Sequence, residues 1–415
     1  MSSSASIHSK RTTFVPDANG TDFPIQNLPY GVFSSPFKSK RLCSRIGDYI
    51  IDLFSLAKDG FLVLEDFDIY IFQDDEWNRF FSLGIEYRRS LRLQLADLFD
   101  ERNLAASNAL MPYLIAIKEV KLYVPVVIGD YTDFYSSKEH ATNAGSMFRD
   151  PANALFPNWL HLPVGYHGRA SSIIVSGQDI KRPAGQIPGK EGDPPTYGKT
   201  KQLDFELEMG FIIGKANALG EPIEIGKTEE HIAGLILFND WSARDIQRWE
   251  YVPLGPFLGK NFASTVSAWI IEIEALDMVR IYGPEQNPAV LPYLQHSGKT
   301  HLDIELEVYL NGQLICSSNT KYLYWSMQQQ LAHHTVNGCN MNVGDLCASG
   351  TISGPTESSY GSMLELAWKG TKPIQMKDGS VRSFLQDGDE LQMKAVAKHG
   401  DYRIGFGELK TKILA

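Results

Sequence analysis

The segment Leu203-Asp204-Phe205-Glu206-Leu207-Glu208-Met209-Gly210 alternates apolar and acidic side chains with period two. Successive side chains of a strand point to opposite faces. Leu203, Phe205, Leu207 and Met209 therefore share one face, and Asp204, Glu206 and Glu208 share the other. Neighbouring carboxylates repel each other by roughly 1–4 kcal/mol, depending on how wet the site is. A cation removes that cost, and hard cations such as Ca²⁺ or Mg²⁺ take oxygen ligands. The plain alternative is an acidic face in water. Leu302-Asp303-Ile304-Glu305-Leu306-Glu307-Val308-Tyr309-Leu310 has the same alternation and runs into Asn311-Gly312, a hairpin turn pair. That second strand reads as the solvated case. What distinguishes the first is the set of residues elsewhere in the chain that could complete a site with it.

Several such residues stand out. Asp240 follows the apolar run Leu235-Ile236-Leu237-Phe238 and so falls at a strand end, where clefts form; an Asp there also serves as a helix N-cap. Arg244 and Gln247 are three apart on a predicted helix over 242–250 and share a face. A surface salt bridge of Arg244 with Asp245 or Glu250 is the simpler reading. Taken alone, His140 reads as a surface residue of a helix over 137–147, and Glu365, between Leu364 and Leu366, as an outward strand position. His333-His334 with Cys339 and Cys347 matches no zinc-finger spacing and reads as a helix end and its loop. The acidic loop from Glu65 to Glu76 lacks the Gly and Glu positions of an EF-hand.

These residues sit in a chain of 415 residues, 43% hydrophobic and 21% charged, values typical of a soluble globular protein. Its length allows two or three ordinary domains. A formal net charge of −10 without basic runs argues against nucleic acid or an anionic membrane as the main partner. The opening Met1-Ser2-Ser3-Ser4-Ala5-Ser6 has no apolar core of a secretory signal, and no window reaches membrane-span length. Four cysteines without a CxxC pair fit reduced thiols in a cytosolic protein.

The elements fall into two groups. After a polar stretch to about residue 35, amphipathic helices are predicted over about 40–57 and 77–100. From about residue 120, short strands divided by Gly and Pro take over: near 123–128, 171–176, 203–213, 234–239, 266–274, 302–310, 313–318, 345–350, 363–368 and 390–397. Helices are predicted near 137–147, 242–250 and 325–335. The expected fold is α+β and predominantly β, with a small N-terminal domain (1–120) and a larger β-rich domain (121–415). The Gly- and Pro-rich stretch 180–200 is expected to be a long loop over a surface opening.

The segments Asp130–Asn143, Asn158–Arg169, Glu206 to Glu208, Asn239–Asp245, Pro253–Lys260, Gly350–Pro355 and Gly361–Glu365 resemble the fumarylacetoacetate hydrolase family over nearly the whole chain. The resemblance implies a mixed β-sandwich-like roll and a homodimer in the cytoplasm. It implies hydrolysis of a carbon–carbon bond of 4-fumarylacetoacetate, a small dicarboxylate diketone, to fumarate and acetoacetate in tyrosine and phenylalanine catabolism. It also implies a divalent cation, Ca²⁺ or Mg²⁺, on Asp133, Glu206, Glu208 and Asp240, with further contact from Lys260 and Ser264. Ser264 stands where the family commonly has Thr, which keeps the hydroxyl. His140, oriented by Glu365, becomes the base. Lys260, Arg244 and Gln247 face the oxyanion and leaving group, and Tyr135, Arg149, Tyr166, Tyr251 and Thr351 join Gln247 in holding substrate.

Overall fold

The computed structural model describes residues 10–190 and 192–415; the polar stretch Met1–Ser6 lies outside them. The expected α+β fold is present. Its centre is an eight-stranded sheet. Seven strands lie in the order Gly165–His167, Tyr131–Phe134, Leu346–Ala348, Leu207–Ile213, Ile232–Asp240, Ser264–Val266 and Ile173–Val175, and Ile271–Glu272 also pairs with Ile232–Asp240. The sheet is mixed: Leu346–Ala348 runs parallel to Tyr131–Phe134, and Ser264–Val266 parallel to Ile173–Val175. Ile232–Asp240 is buried along its whole length, which explains its nearly unbroken apolar run. Gly234 is required there, because a Cβ would lie 2.2 Å from the Ile271 carbonyl oxygen.

A five-stranded sheet packs beside it, ordered Gln313–Asn319, Ile304–Leu310, Glu390–His399, Tyr402–Leu414 and Ile180–Lys181. Along Ile304–Leu310 the aliphatic side chains are buried, Glu305 is exposed and Glu307 is half-buried. This is the solvated acidic strand that the comparison called for, with its turn at Asn311-Gly312 in the left-handed region.

The N-terminal part carries a five-stranded antiparallel sheet, Leu114–Ala116, Tyr49–Asp52, Lys38–Ile46, Gly31–Ser35 and Lys121–Leu122. Its core joins Trp77, Phe80 and Leu91 to Ile212, Ile236 and Phe238 of the central sheet. One buried link is polar: Arg88 donates to the carbonyls of Ile232 and Ala233 and pairs with Glu272 at 3.1 Å.

Several elements differ from expectation. The helix expected over 40–57 is a hairpin, Lys38–Ile46 with Tyr49–Asp52, followed by the short helix Leu53–Lys58. Gly47 turns the chain at φ 54°, and the apolar residues on either side only mimic helical spacing. The helix expected over 77–100 breaks at Gly84 into Asn78–Ser82 and Ile85–Leu98. No strand forms over 123–128, where Pro125 offers no amide and its carbonyl accepts from Trp77. The 266–274 strand is broken: only the short strands Ser264–Val266 and Ile271–Glu272 form, and a 3-10 helix, Ile273–Val279, follows. The 180–200 stretch is not an open loop: Ala184–Ile187 and Thr196–Lys199 form a hairpin, and Gln186 accepts from the Trp249 indole at 3.0 Å. The 363–368 strand is a helical turn, Met363–Leu366, capped by Ser362.

Candidate active site

Strand register assembles the four acids. Leu207 pairs with Asn239, so Glu206 falls opposite Asp240, and the Asp240 amide donates to the Glu206 carbonyl at 3.3 Å. Ala348 pairs with both Gly210 and Asp133, which places Asp133 level with a residue two beyond Glu208 and on the same face. Carboxylate oxygens of Asp133, Glu206, Glu208 and Asp240 all lie within 4.8 Å of one another, and all four residues are buried. Two carboxylates at that range repel by about 3 kcal/mol at an effective dielectric of 20.

Part of this charge is matched by protein cations. The Lys260 ammonium lies 2.7 Å from both Glu206 and Asp240. The Arg244 guanidinium reaches Glu206 at 2.8 Å and Asp204 at 2.7 Å. Ser264, opposite Asp240 in the next strand, donates to its second oxygen at 2.9 Å. The Tyr166 hydroxyl donates to Asp240 at 3.2 Å. Burial alone would push the Glu206 carboxyl up, but Lys260 and Arg244 outweigh it and hold the group well below its usual range. Among the described residues Glu208 and Asp133 form no ion pair, and the more distant Lys260 lowers them less than burial raises them. Burial pushes both well up, and Asp133 raises Glu208 further while Asp240 raises Asp133. The Gly350 amide donates to one Glu208 oxygen at 2.9 Å. Among the described residues, Asp133 Oδ1 and Glu208 Oε1 are buried with no hydrogen-bond partner. Orphaned, crowded, hard oxygen atoms fit a hard divalent cation and offer nothing soft for zinc.

Beside the acids, His140 Nδ1 lies 2.7 Å from Glu365 Oε2, across 225 positions of sequence. Both are buried, which overturns the surface readings that their local sequence suggests. His140 sits in the first turn of Lys138–Phe148, where Ser137 accepts its amide. The Glu365 carboxylate also accepts from Asn143, Ser353 and Ser362, each at 2.9 Å. Burial opposes its charge, but His140 and these donors win and lower its pKa. The Tyr135 ring meets the His140 imidazole edge-on, with centroids 5.3 Å apart. His140 is also close enough to Glu206 to help hold it ionised.

The other expected residues are placed unevenly. Gln247 lies one turn after Arg244 and accepts from it at 3.4 Å. The Thr351 hydroxyl is buried without a partner among the described residues. Arg149 is tied to its own loop, donating to Ala154 at 2.5 Å and lying over the Phe156 ring. Tyr251 is 49% exposed at the end of the Arg244 helix. Neither hydrogen-bonds to the four acids among the described residues. The salt bridge expected as the simple alternative for Arg244 does not form with Asp245 or Glu250, because Asp204 and Glu206 take the guanidinium. Sequence reasoning missed Asn143, Ser353 and Ser362. Ser362-Met363-Leu364-Glu365 is a helix-start pattern and could have signalled the last of these.

Two family models cover the chain: Fumarylacetoacetase N-terminal over residues 26–125, and Fumarylacetoacetate (FAA) hydrolase C-terminal over residues 130–414. The chain belongs to the fumarylacetoacetate hydrolase family. It is 51% identical over 414 residues to the fumarylacetoacetase of Homo sapiens, covering 97% of this chain and 98% of the relative. The fumarylacetoacetase of Bos taurus is 51% identical over 419 residues, with the same coverage of 97% and 98%. Among solved structures, a fumarylacetoacetate hydrolase from psychrophilic Exiguobacterium antarcticum aligns with a TM-score of 0.54 at 18% identity, over 94% of this chain and 99% of the other. That likeness speaks for the fold.

Proposed function

We propose that the protein hydrolyses 4-fumarylacetoacetate to fumarate and acetoacetate, a step of tyrosine and phenylalanine catabolism. The observation that carries this reading is a buried His140–Glu365 pair beside a cluster of four carboxylates within 4.8 Å of one another. The high identity to fumarylacetoacetases supports the choice of substrate.

Breaking a carbon–carbon bond with water requires a base, a holder for the attacked carbonyl oxygen and stabilisation of the departing carbanion. His140 takes a proton from water, and Glu365 holds the imidazole in the orientation that leaves its other nitrogen free to do so. The hydroxide oxygen bonds to the carbonyl carbon next to the fumaryl double bond. The bond from that carbon to the central methylene then breaks, and its electron pair leaves with the acetoacetate fragment as an enolate. The attacked carbon becomes the new carboxyl group of fumarate, and the proton taken by His140 is returned to the former methylene carbon to give the methyl group of acetoacetate. Lys260, Arg244 and Gln247 stabilise the negative oxygen atoms, most strongly where water is excluded. Tyr135, Arg149, Tyr166, Tyr251 and Thr351 contribute donors for the substrate's carboxylates and carbonyls, with Gln247.

Asp133, Glu206, Glu208 and Asp240 would hold Ca²⁺ or Mg²⁺, with Lys260 through its backbone oxygen and Ser264 through its hydroxyl as further contacts. Bound there, a hard cation supplies positive charge to a 1,3-dicarbonyl and its enolate. Residues 1–120 and 121–415 act in this reading as an N-terminal support and a catalytic domain. The homodimer and cytoplasmic location implied by the family resemblance belong to the same reading. No helix among the described residues is long and apolar enough to cross a membrane. The test is the decay of fumarylacetoacetate absorbance with and without a chelator, with the products identified. Cation-dependent loss giving fumarate and acetoacetate supports the reading; no loss after the cation is restored rejects it.

A further inference from the structure

Asp204 shares the acidic pattern of Glu206 and Glu208 but not their place. Leu203–Asp204 pairs with Ser242–Ala243, and the strand then breaks before Leu207. At the break the Phe205 amide folds back onto Asp204 Oδ1 at 2.7 Å, while the Glu206 amide turns to the Asn239 side chain at 3.1 Å. The Asp204 carboxylate does not join the cluster of four acids and instead faces Arg244, which bridges it to Glu206. It is fully buried, yet every donor around it is accounted for. Oδ1 also accepts the Met363 amide at 2.7 Å, and Oδ2 accepts the Leu364 amide at 3.0 Å and Arg244 Nε at 2.7 Å.

One carboxylate thus grips two separate parts of the proposed machinery. Through the Met363 and Leu364 amides it holds the helical turn whose next residue, Glu365, orients His140. Through Nε it aims the guanidinium whose other nitrogen pairs with Glu206. A buried carboxylate costs several kcal/mol to desolvate. A structural anchor for a surface turn would not need that charge, whereas fixing a cation and a helix start to one point does.

We propose that Asp204 is a positioning residue that keeps Arg244 and the Glu365–His140 pair in mutual register. The inference rests on the hydrolase reading above. Asn in its place would retain one oxygen for the amides but turn an NH₂ group toward Arg244 Nε and the Leu364 amide, both donors.

The test uses the full chain with Ca²⁺ and compares the unaltered protein, D204N, R244K and the double variant. D204N is expected to fold, to bind Ca²⁺ in calorimetric titration, and to lose roughly 10- to 100-fold in kcat with a smaller change in KM, the usual cost of removing a group that orients a site ligand. Because Asp204 acts through Arg244, the double variant should lose clearly less than the product of the two single losses. A D204N kcat within twofold of the unaltered chain, or losses that multiply, overturns the proposal. D204S stands in if D204N does not fold, and full kcat there overturns it equally. A second readout needs no turnover: the downfield imidazole proton of His140, assigned with H140Q, should broaden or shift in D204N. An unchanged signal overturns the proposal. The unaltered chain separates the two claims, since its failure to consume fumarylacetoacetate rejects the hydrolase reading while the His140 signal still judges Asp204.

Discussion

Replacing Glu208 by Gln should move stability in opposite directions with and without Ca²⁺. Without a cation, Glu208 sits buried within 4.8 Å of three other carboxylates, with one oxygen lacking any partner among the described residues. One such pair costs about 3 kcal/mol at an effective dielectric of 20. Burial and Asp133 already resist ionisation of Glu208, so part of the cost is met by proton uptake, and E208Q should gain stability at pH 8 by an amount on the order of one such pair, about 3 kcal/mol. With Ca²⁺ the balance reverses. A ligand at 100 times its Kd stabilises the folded state by about 2.7 kcal/mol. If the substitution weakens binding about 100-fold, the same Ca²⁺ concentration adds only about 0.4 kcal/mol. Denaturant titrations of both proteins, in chelator and in Ca²⁺, read all four states. E208Q should unfold later than the unaltered chain in chelator and respond much less to Ca²⁺. An E208Q protein that is weaker in chelator, or that keeps the full Ca²⁺ response, would refute the assignment of these oxygens to a cation.

Two further outcomes follow from other parts of the structure. H140A should lower kcat by roughly 10²- to 10⁴-fold, the range for losing a general base, while calorimetric Ca²⁺ binding persists because His140 is not one of the four acids; activity near the unaltered level would exclude His140 as the base. His301 is buried, and desolvation lowers its pKa from the usual 6.5 to about 4. The unfolded chain therefore takes up a proton that the folded one refuses between those values, so stability is present above about pH 6.5 and falls by roughly 3 kcal/mol on going to pH 4. H301Q should remove most of that slope in pH-dependent denaturation, and an unaltered slope would show that other groups carry it.

The helices over 137–147, 242–250 and 325–335 were legible to within about two residues, because helical spacing coincides there with start signals such as Ser137 and Ser326. The two acidic strands were also legible as different cases, one buried and one facing water. The region before residue 120 was harder. Ile46, Tyr49, Ile50 and Leu53 have helical spacing, but a tight turn at Gly47 places them on a hairpin and the helix after it. Asp204 shows the limit of periodicity: an ideal strand puts it beside Glu206, and a single break in the ladder sends it to Arg244 and the Met363 turn. The His140–Glu365 pair spans 225 positions, and no local pattern predicts such a contact. It was accessible only through the family resemblance. The donors that complete it, Asn143, Ser353 and Ser362, needed three-dimensional structure, since each is an ordinary polar residue until the chain brings it to Glu365.

The central claim is that a cation on the four acids and the His140–Glu365 pair together hydrolyse fumarylacetoacetate. Its most direct test follows fumarylacetoacetate absorbance in purified protein after chelation and after Ca²⁺ or Mg²⁺ is restored, with the products identified by NMR. The account predicts little turnover in chelator, and recovery on adding the cation with fumarate and acetoacetate formed in equal amounts. Full turnover in chelator, or none after restoration, would contradict it.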